Sequence, residues 1–288
     1  MFGVSPAFVL SAYGQGFSVA DFCEALPRIR RLGFAAYQPE IFFRSALAEW
    51  QRDGAAVQRA ANDLGLVPTQ FVAHFMLEHF ALPDRLGSEQ GCDDLKRVLD
   101  IVQVFPACRV MTLPVGQVAF DWTAPWATTA DGWRAARRRL VDQIARYVSL
   151  VSEAGIRLAF EIMPFSIVGG LARFVSLCDE VGSPALGLNF DAGHAWACRE
   201  LVPCLPFELE GRIFGTHLGD NLSAENIKLP PGRGTIPWLP LLRNLRAAGY
   251  RGSFDLEIGC PAERVEEDYG AGLAHLASLG LSENGDLA

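Results

Sequence analysis

The sequence lacks long hydrophobic runs and an excess of positive charge. Half of its 288 residues are hydrophobic, yet no stretch approaches the roughly 18 uninterrupted apolar residues of a membrane-spanning helix. Lys and Arg number 25 against 33 Asp and Glu, for a formal net charge of −8. Duplex DNA and anionic membrane surfaces are held mainly by basic side chains. We therefore expect neither nucleic acid nor a membrane as a partner.

Cysteine is scarce and shows no pattern. The seven cysteines are scattered and form no CxxC pair, which favours reduced thiols over a disulfide framework. Cys198 and Cys204 lie near a histidine-containing motif, but harder ligands lie closer to that motif. The opening residues, MFGVSPAFVLSAYGQG, lack the basic start and unbroken apolar segment of a signal peptide. These features together predict a cytoplasmic protein.

Short β-rich runs alternate with amphipathic helical segments along the whole chain. The predicted strands are Gly3–Leu10, Ala35–Pro39, Val67–His74, Arg109–Leu113, Arg157–Ile162, Leu186–Asp191, Ile213–Leu218 and Gly252–Ile258. The predicted helices are Ala20–Leu32, Leu47–Leu64, Asp94–Val104, Asp131–Ala154, Leu171–Val181, Trp238–Ala248 and Glu263–Leu279.

Strands separated by helices pair in parallel through right-handed crossovers. Eight of them predict an α/β fold, a single-domain (β/α)8 TIM barrel over residues 1–280, with a flexible tail at 281–288. A doubly wound open sheet is the alternative. No glycine-rich phosphate fingerprint opens the first helix, however, and that absence weakens this alternative.

Four consecutive predicted strands, the fifth to the eighth, each end in a side chain that can bind a metal. They are Glu161 in RLAFEI, Asp191 in LGLNFD, His217 in IFGTHL and Glu257 in SFDLEI. The carboxyl ends of barrel strands form the active face, and buried carboxylates crowded there repel each other unless a cation is bound. We therefore predict one divalent ion, Mn²⁺, Mg²⁺ or Co²⁺, with Zn²⁺ also possible. Taken singly, each residue can instead be a hydrogen-bonded residue of the barrel rim.

Other side chains near the predicted strand ends are candidates for substrate contact. They are His194 in DAGH, His74, Glu40 in YQPEIF, Trp196 and Arg233. A structural hydrogen bond is the alternative for the histidines, and a surface salt bridge is the alternative for Arg233. Lys228 is a weaker candidate, and His79 and His275 look peripheral. The aromatic residues of the same loops, which can face a sugar or cap the core, are Phe42, Phe43, Trp122, Trp126, Phe165 and Trp196.

The strand-end set and the DAGH motif resemble the xylose isomerase-like barrel superfamily. More narrowly, they resemble its sugar (phosphate) isomerase/epimerase branch, which includes ketose 3-epimerases, hydroxypyruvate isomerases and inosose dehydratases. The stretch LPPGRGTIPW is similar to the family loop PGxGxIxW, with Arg233 where the family usually has an acidic residue. The resemblance extends over nearly the whole chain.

The resemblance implies that the four strand-end residues hold one divalent ion and that Glu161 and Glu257 transfer protons on opposite sides of a small sugar or polyol. It also implies a metal-stabilised enediolate, because a cation that polarises a carbonyl acidifies the neighbouring carbon. A lyase or dehydratase acting on a keto-sugar shares these steps and stays open. An AP endonuclease-like enzyme and a non-catalytic binding subunit are more remote alternatives. Relatives are often oligomers, so a homo-oligomer is possible.

Overall fold

The computed structural model describes residues 1–119, 121 and 123–280, so Trp122 and the predicted tail at 281–288 lie outside the described residues. Its strand segments are β1 (Phe2–Val4), β2 (Ala36–Tyr37), β3 (Glu40–Ile41), β4 (Val67–Pro68), β5 (Phe71–Ala73), β6 (Val110–Val115), β7 (Arg157–Ile162), β8 (Leu186–Asp191), β9 (Ile213–His217) and β10 (Phe254–Leu256).

These segments form a closed ring of parallel strands. One sheet runs in the order β10-β1-β2-β4 and the other in the order β3-β5-β6-β7-β8-β9. β2 and β3 are two parts of one barrel strand, as are β4 and β5, so the two sheets continue into each other. On the other side, the Leu218 N–H donates to the Asp255 carbonyl at 2.9 Å and the Glu257 N–H donates to the Leu218 carbonyl at 3.0 Å. The fold is therefore the predicted (β/α)8 TIM barrel.

Helices surround the ring. They are α1 (Ala7–Tyr13), α2 (Val19–Arg31), α3 (Leu47–Asp63), α4 (Glu78–Ala81), α5 (Glu89–Val102), α6 (Pro125–Thr128), α7 (Ala130–Glu153), α8 (Leu171–Val181), α9 (Ala192–Ala197), α10 (Leu205–Glu208), α11 (Trp238–Ala247) and α12 (Val265–Ser278). Short 3-10 turns occur at Arg44–Ala46, His74–Leu77, Pro83–Arg85 and Ala262–Arg264.

The first predicted strand is wrong beyond its opening residues. β1 ends at Val4, and the apolar residues that follow form α1. Pro6 is already in the αR conformation, and the Ser5 hydroxyl accepts a hydrogen bond from the Ala7 N–H at 3.2 Å. A short apolar run fits a buried strand and a buried helix equally well, so its hydrophobicity alone did not separate the two.

Aromatic side chains fill the layer between the barrel and the helices. The Trp50 ring of α3 contacts Phe22 of α2 and Phe71 of β5 edge-on, with centroids 5.7 and 5.9 Å apart. All three side chains are buried. Such contacts fix the helices against the strands and so set the positions of the strand ends.

Inside the barrel, a polar layer lies between the two ends of the strands. The Gln70 amide donates to Asn189 Oδ1 at 2.8 Å and accepts from the Thr112 hydroxyl at 2.5 Å. All three residues are buried, so their polar atoms need these partners. Among the described residues, no helix combines the length and the apolar character that a bilayer crossing requires.

Candidate metal and substrate site

Four side chains converge at the carboxyl ends of neighbouring strands. Glu161 lies in β7, Asp191 ends β8, His217 ends β9 and Glu257 follows β10 directly. All four are buried, and one ligand atom of each lies within 4.8 Å of those of the other three. Among the described residues, this is the group whose composition and spacing fit a metal ion.

The His217 imidazole lies at the centre of the cluster. Its Nδ1 atom is 3.4 Å from Glu161 Oε2 and 3.4 Å from Glu257 Oε1. Its Nε2 atom is 2.8 Å from the side-chain oxygen of Gln38, which is also buried. When Nε2 carries the proton and donates it to Gln38, the Nδ1 lone pair faces the carboxylates, as it does in a metal-bound histidine.

The two carboxylate oxygens of Asp191 have different surroundings. It ends β8 and is the N-cap of α9, where its Oδ1 atom accepts the His194 N–H at 2.7 Å. Its Oδ2 atom is buried and has no hydrogen-bond partner. One oxygen thus fixes the strand-to-helix corner, and the other remains available for a cation.

The same corner aims His194 into the cluster. Its Nε2 atom lies 3.5 Å from Glu161 Oε1 and 3.5 Å from Asp191 Oδ2, while its Nδ1 atom is 3.0 Å from the Asn226 amide. Gly193 allows this approach, because a Cβ there would lie 2.6 Å from Asn226 Oδ1. The glycine of the DAGH motif therefore makes room for the loop that holds His194.

Burial and mutual repulsion perturb the acids of the cluster unequally. Burial alone would raise the pKa of Glu161, but His217 and His194 outweigh it and hold this pKa well below its ordinary value. Burial raises the pKa of Asp191 to about 7, with Glu257 and Glu161 adding to the rise and His194 opposing it. Burial also lowers the pKa of His217, but Glu257 and Glu161 more than offset this and raise it to about 9. The positive charge of the neighbouring side chains is thus too small to balance all the clustered carboxylates.

These features fit a divalent cation. His217 Nδ1 and Asp191 Oδ2 are buried without hydrogen-bond partners, and such atoms are costly unless something binds them. Three carboxylates and one imidazole match the donors of Mn²⁺, Mg²⁺ or Co²⁺ sites, and Zn²⁺ also accepts this set. Both the binding of an ion and its identity stay predictions.

Glu40 and His74 lie together beside the cluster. His74 Nδ1 is 3.6 Å from Glu40 Oε1, and the His74 ring stacks on Phe42 with centroids 4.2 Å apart. Burial, together with the charges of Glu161 and Glu257, raises the pKa of Glu40 well above its ordinary value. Its Oε2 atom is buried without a hydrogen-bond partner, so this atom can form a hydrogen bond with a ligand.

The other predicted aromatic contacts differ in exposure. Trp196 of α9 is half-buried and packs against the core, whereas Trp126 is buried. Phe43 is exposed at the rim, and Phe165 is 73% exposed. Phe165 also has a φ of 61°, a strained conformation for a bulky residue.

The structure does not bring Arg233 together with the cluster. Its guanidinium is 2.8 Å from Asp268 of α12 and 4.0 Å from Glu267. This is the salt bridge that the sequence left as the alternative to substrate contact. His79 is likewise engaged elsewhere, 3.1 Å from Asp94.

Lys228 lies closer to the cluster than its sequence position suggested. Its Nζ atom lies 2.9 Å from Glu257 Oε1, and its backbone φ is 51°. Although burial opposes it, the charges of Glu257, Asp191 and Glu161 raise the pKa of Lys228, so it is a fixed cation at the edge of the cluster. Asn226 and Gln38 were also missed, because their roles depend on loop geometry and on neighbours distant in the chain.

Comparisons with known proteins agree with this architecture. A family model described as xylose isomerase-like TIM barrel matches residues 26–279. The curated L-ribulose-5-phosphate 3-epimerase UlaE of Escherichia coli strain SMS-3-5 is 25% identical over 279 residues, which cover 90% of this chain and 92% of that protein. For the UlaE of strain ATCC 8739, 26% identity extends over 155 residues, 51% of this chain and 54% of that protein. In that match the chain spans about half of its relative's length.

Solved structures show the same fold. An L-ribulose 3-epimerase superposes with a TM-score of 0.75 at 16% identity, covering 96% of this chain and 93% of that one. The IOLI protein with a binding zinc atom gives a TM-score of 0.73 at 13% identity, covering 96% of this chain and 98% of that one. At such identities, the likeness is evidence for the barrel and not for a shared reaction.

Proposed function

Because the chain belongs to the xylose isomerase-like TIM barrel family, we propose that it is a divalent-metal-dependent epimerase or isomerase of a ketose, ketose phosphate or related polyol. One observation carries the proposal. Four buried ligand side chains from consecutive strands meet within 4.8 Å at the carboxyl face of the barrel. Sugar 3-epimerases among the relatives support the substrate class.

In this proposal, Glu161, Asp191, His217 and Glu257 hold the ion. When bound, the ion polarises a substrate carbonyl and so acidifies the neighbouring C–H bond. Asp191 and His217 act as ligands only. Gln38 and the N-cap hydrogen bond of Asp191 orient these two ligands.

Glu161 and Glu257 are the proposed proton-transfer residues. Glu161 lies in β7 and Glu257 directly follows β10, the two outer strands of the four, so they flank Asp191 and His217. A substrate above the cluster has one carboxylate on each side, so one can remove a proton and the other can return it. The Lys228 ammonium at 2.9 Å favours the ionised form of Glu257, which is the form that accepts a proton.

The proposed substrate contacts are His194, His74, Glu40 and Trp196. Of these, Glu40 supplies an unpartnered buried oxygen and Trp196 supplies a half-buried ring on α9. Sugar hydroxyls and C–H faces match these two kinds of surface. We leave Arg233 out of the substrate site because Asp268 already neutralises it.

The proposal is tested by solvent deuterium exchange. The Mg²⁺-loaded protein is mixed in D₂O with ketoses, ketose phosphates, inososes and 3-keto-glycosides, and NMR follows the carbon next to the carbonyl. We expect deuterium uptake together with a new diastereomer or aldose, and chelation should abolish both.

The control is His217→Ala, which removes a predicted ligand and leaves both proton-transfer glutamates in the sequence. It should lose metal and exchange together. Exchange that yields an unsaturated product would identify a lyase instead. An absence of exchange across the panel with fully metal-loaded protein would contradict the proposal.

A further inference from the structure

A cleft opens at the amino-terminal end of the barrel, on the face opposite the metal cluster. It consists of two adjoining cavities of about 410 and 320 Å³. Both are lined by Arg157, Phe214, Arg251 and Gly252. Volumes of this size are typical of small-molecule sites.

Three arginines line this cleft. Arg157 is the first residue of β7, and Arg109 directly precedes β6. Their backbones are adjacent, since the Arg157 N–H donates to the Arg109 carbonyl at 3.0 Å. Arg251 lies in the turn before β10 and lines both cavities.

Two of the arginines are held in place without being neutralised. The Arg157 guanidinium lies over the buried Phe214 ring, 4.1 Å from its centroid, which leaves its N–H edges free. Arg251 donates to the carbonyls of Arg246 at 2.9 Å and Tyr250 at 3.1 Å. Holding the guanidinium groups in advance reduces the entropy that a ligand would lose on binding.

The charge of the cleft is unbalanced. No described carboxylate lies within 4.0 Å of the guanidinium of Arg109, Arg157 or Arg251, although many arginines elsewhere pair with one, such as Arg44 with Asp94. Among the residues lining the cleft, Asp255 is the acid, and it is fully buried with one oxygen bonded to the Ser253 hydroxyl at 2.5 Å. Positive charge thus accumulates in a chain whose net charge is −8.

From this geometry, we propose that the cleft binds a small polyanion that carries at least two phosphate or carboxylate groups. Guanidinium groups bind both through paired, charge-assisted hydrogen bonds. Arg157 would hold one anionic group and Arg251 the other, since both line the two cavities, and Arg109 would add positive charge to the second cavity. The site is separate from the proposed sugar site and does not depend on that assignment.

The test measures binding of pyrophosphate and citrate by isothermal titration calorimetry at low ionic strength. The metal is first removed and the chelator dialysed away, because a cation at the other end of the barrel would itself attract these anions. We expect one anion per chain, with an affinity that falls as salt is added. Tighter binding of pyrophosphate would assign phosphate chemistry to the site, and tighter binding of citrate would assign carboxylate chemistry.

Arg157→Gln should weaken this affinity roughly 10- to 100-fold, the loss expected for charge-assisted hydrogen bonds. Arg109→Gln is the second variant, because the Arg109 side chain has no hydrogen bond or ion pair to the described residues and its loss should spare the fold. Arg138→Gln, an exposed arginine of α7, is the matched control and should bind like the wild type. No binding to the wild type, unchanged affinity in both cleft variants, or an equal loss in Arg138→Gln would overturn the proposal.

Discussion

At the scale of single residues, the Gln38 amide selects which nitrogen of His217 faces the cluster. The Gln38 side-chain oxygen lies 2.8 Å from His217 Nε2, whereas the Gln38 side-chain nitrogen is buried without a hydrogen-bond partner. The oxygen therefore accepts the Nε2 proton when His217 carries it there. A proton held on Nε2 leaves Nδ1 as the ligand atom.

Replacing Gln38 should therefore weaken metal binding. Gln38→Leu removes the acceptor, and we expect the affinity for Zn²⁺ or Mn²⁺ to fall roughly 10- to 100-fold, as for other residues that orient a metal ligand. Gln38→Glu keeps an acceptor and should recover most of the affinity. Calorimetric titration of the metal measures both.

Gln143→Leu is the control for the loss of a buried amide, because Gln143 lies on α7, away from the cluster, and is also buried. Unchanged metal affinity in Gln38→Leu, or an equal fall in Gln143→Leu, would refute the positioning role.

Glu257→Gln separates proton transfer from metal binding. The amide keeps an oxygen for the ion and nearly the same volume but cannot accept a proton, so we expect deuterium exchange to slow on the order of 10²- to 10⁴-fold. Metal content is checked by elemental analysis, and the fold by circular dichroism. Glu263→Gln, at an exposed glutamate, is the control. Near-normal exchange in Glu257→Gln would rule out the proposed role.

At the scale of elements, Asp220 organises the loop at 218–237 that presents Lys228 and Asn226 to the cluster. Its carboxylate accepts the backbone N–H groups of Asn221 and Ile236 at 2.9 and 3.1 Å, and that of Gly232 at 2.8 Å. It also accepts the Trp238 indole N–H at 2.8 Å. A fully buried carboxylate with four donors fixes the whole loop.

Asp220→Ala leaves those donors without a partner. We expect the free energy of unfolding to fall by about 3 kcal/mol, since each unsatisfied buried group costs about 1–3 kcal/mol and water relieves part of the loss. Urea unfolding measures the change. Asp93→Ala, whose side chain is 70% exposed, should change it by less than about 0.5 kcal/mol. Equal stability of the two variants would contradict the role of Asp220.

The bounds of some strands and helices could be predicted from the sequence. β7, β8 and α8 begin and end where the sequence placed them, because each is a regular apolar or amphipathic run with glycine or polar residues at its ends. Parallel pairing then brings the ends of neighbouring strands together, and this explains why the four candidate ligands could be found by their position at strand ends. Their roles in catalysis stay predictions.

Other features depend on tertiary contacts that no local pattern encodes. The second barrel strand, predicted as Ala35–Pro39, is divided around Gln38 and Pro39, since proline has no N–H to donate to a ladder. Lys228 reaches Glu257 only because its loop folds back with a left-handed residue at 228. A lone lysine in a polar loop gives no signal of this kind.

At the scale of the whole molecule, the cluster joins strands that lie far apart in sequence, from Glu161 to Glu257. Without a cation, the crowded carboxylates oppose closure of this part of the barrel, and the pKa of Asp191 rises to about 7 because of its burial and the neighbouring glutamates. A divalent ion bound in the folded state should therefore stabilise the entire fold and not only the site.

We expect added Mn²⁺ or Zn²⁺ to raise the melting temperature, and chelation to reverse the rise. At a metal concentration one hundred times Kd, the gain is about 2.7 kcal/mol, which corresponds to roughly 4 to 5 °C for a chain of this length. Differential scanning calorimetry measures it. His217→Ala should lose the shift, whereas His275→Ala, at a half-buried histidine of α12 outside the cluster, should keep it. If both variants respond like the wild type, the stabilising ion binds elsewhere, because only one of the two changes removes a predicted ligand.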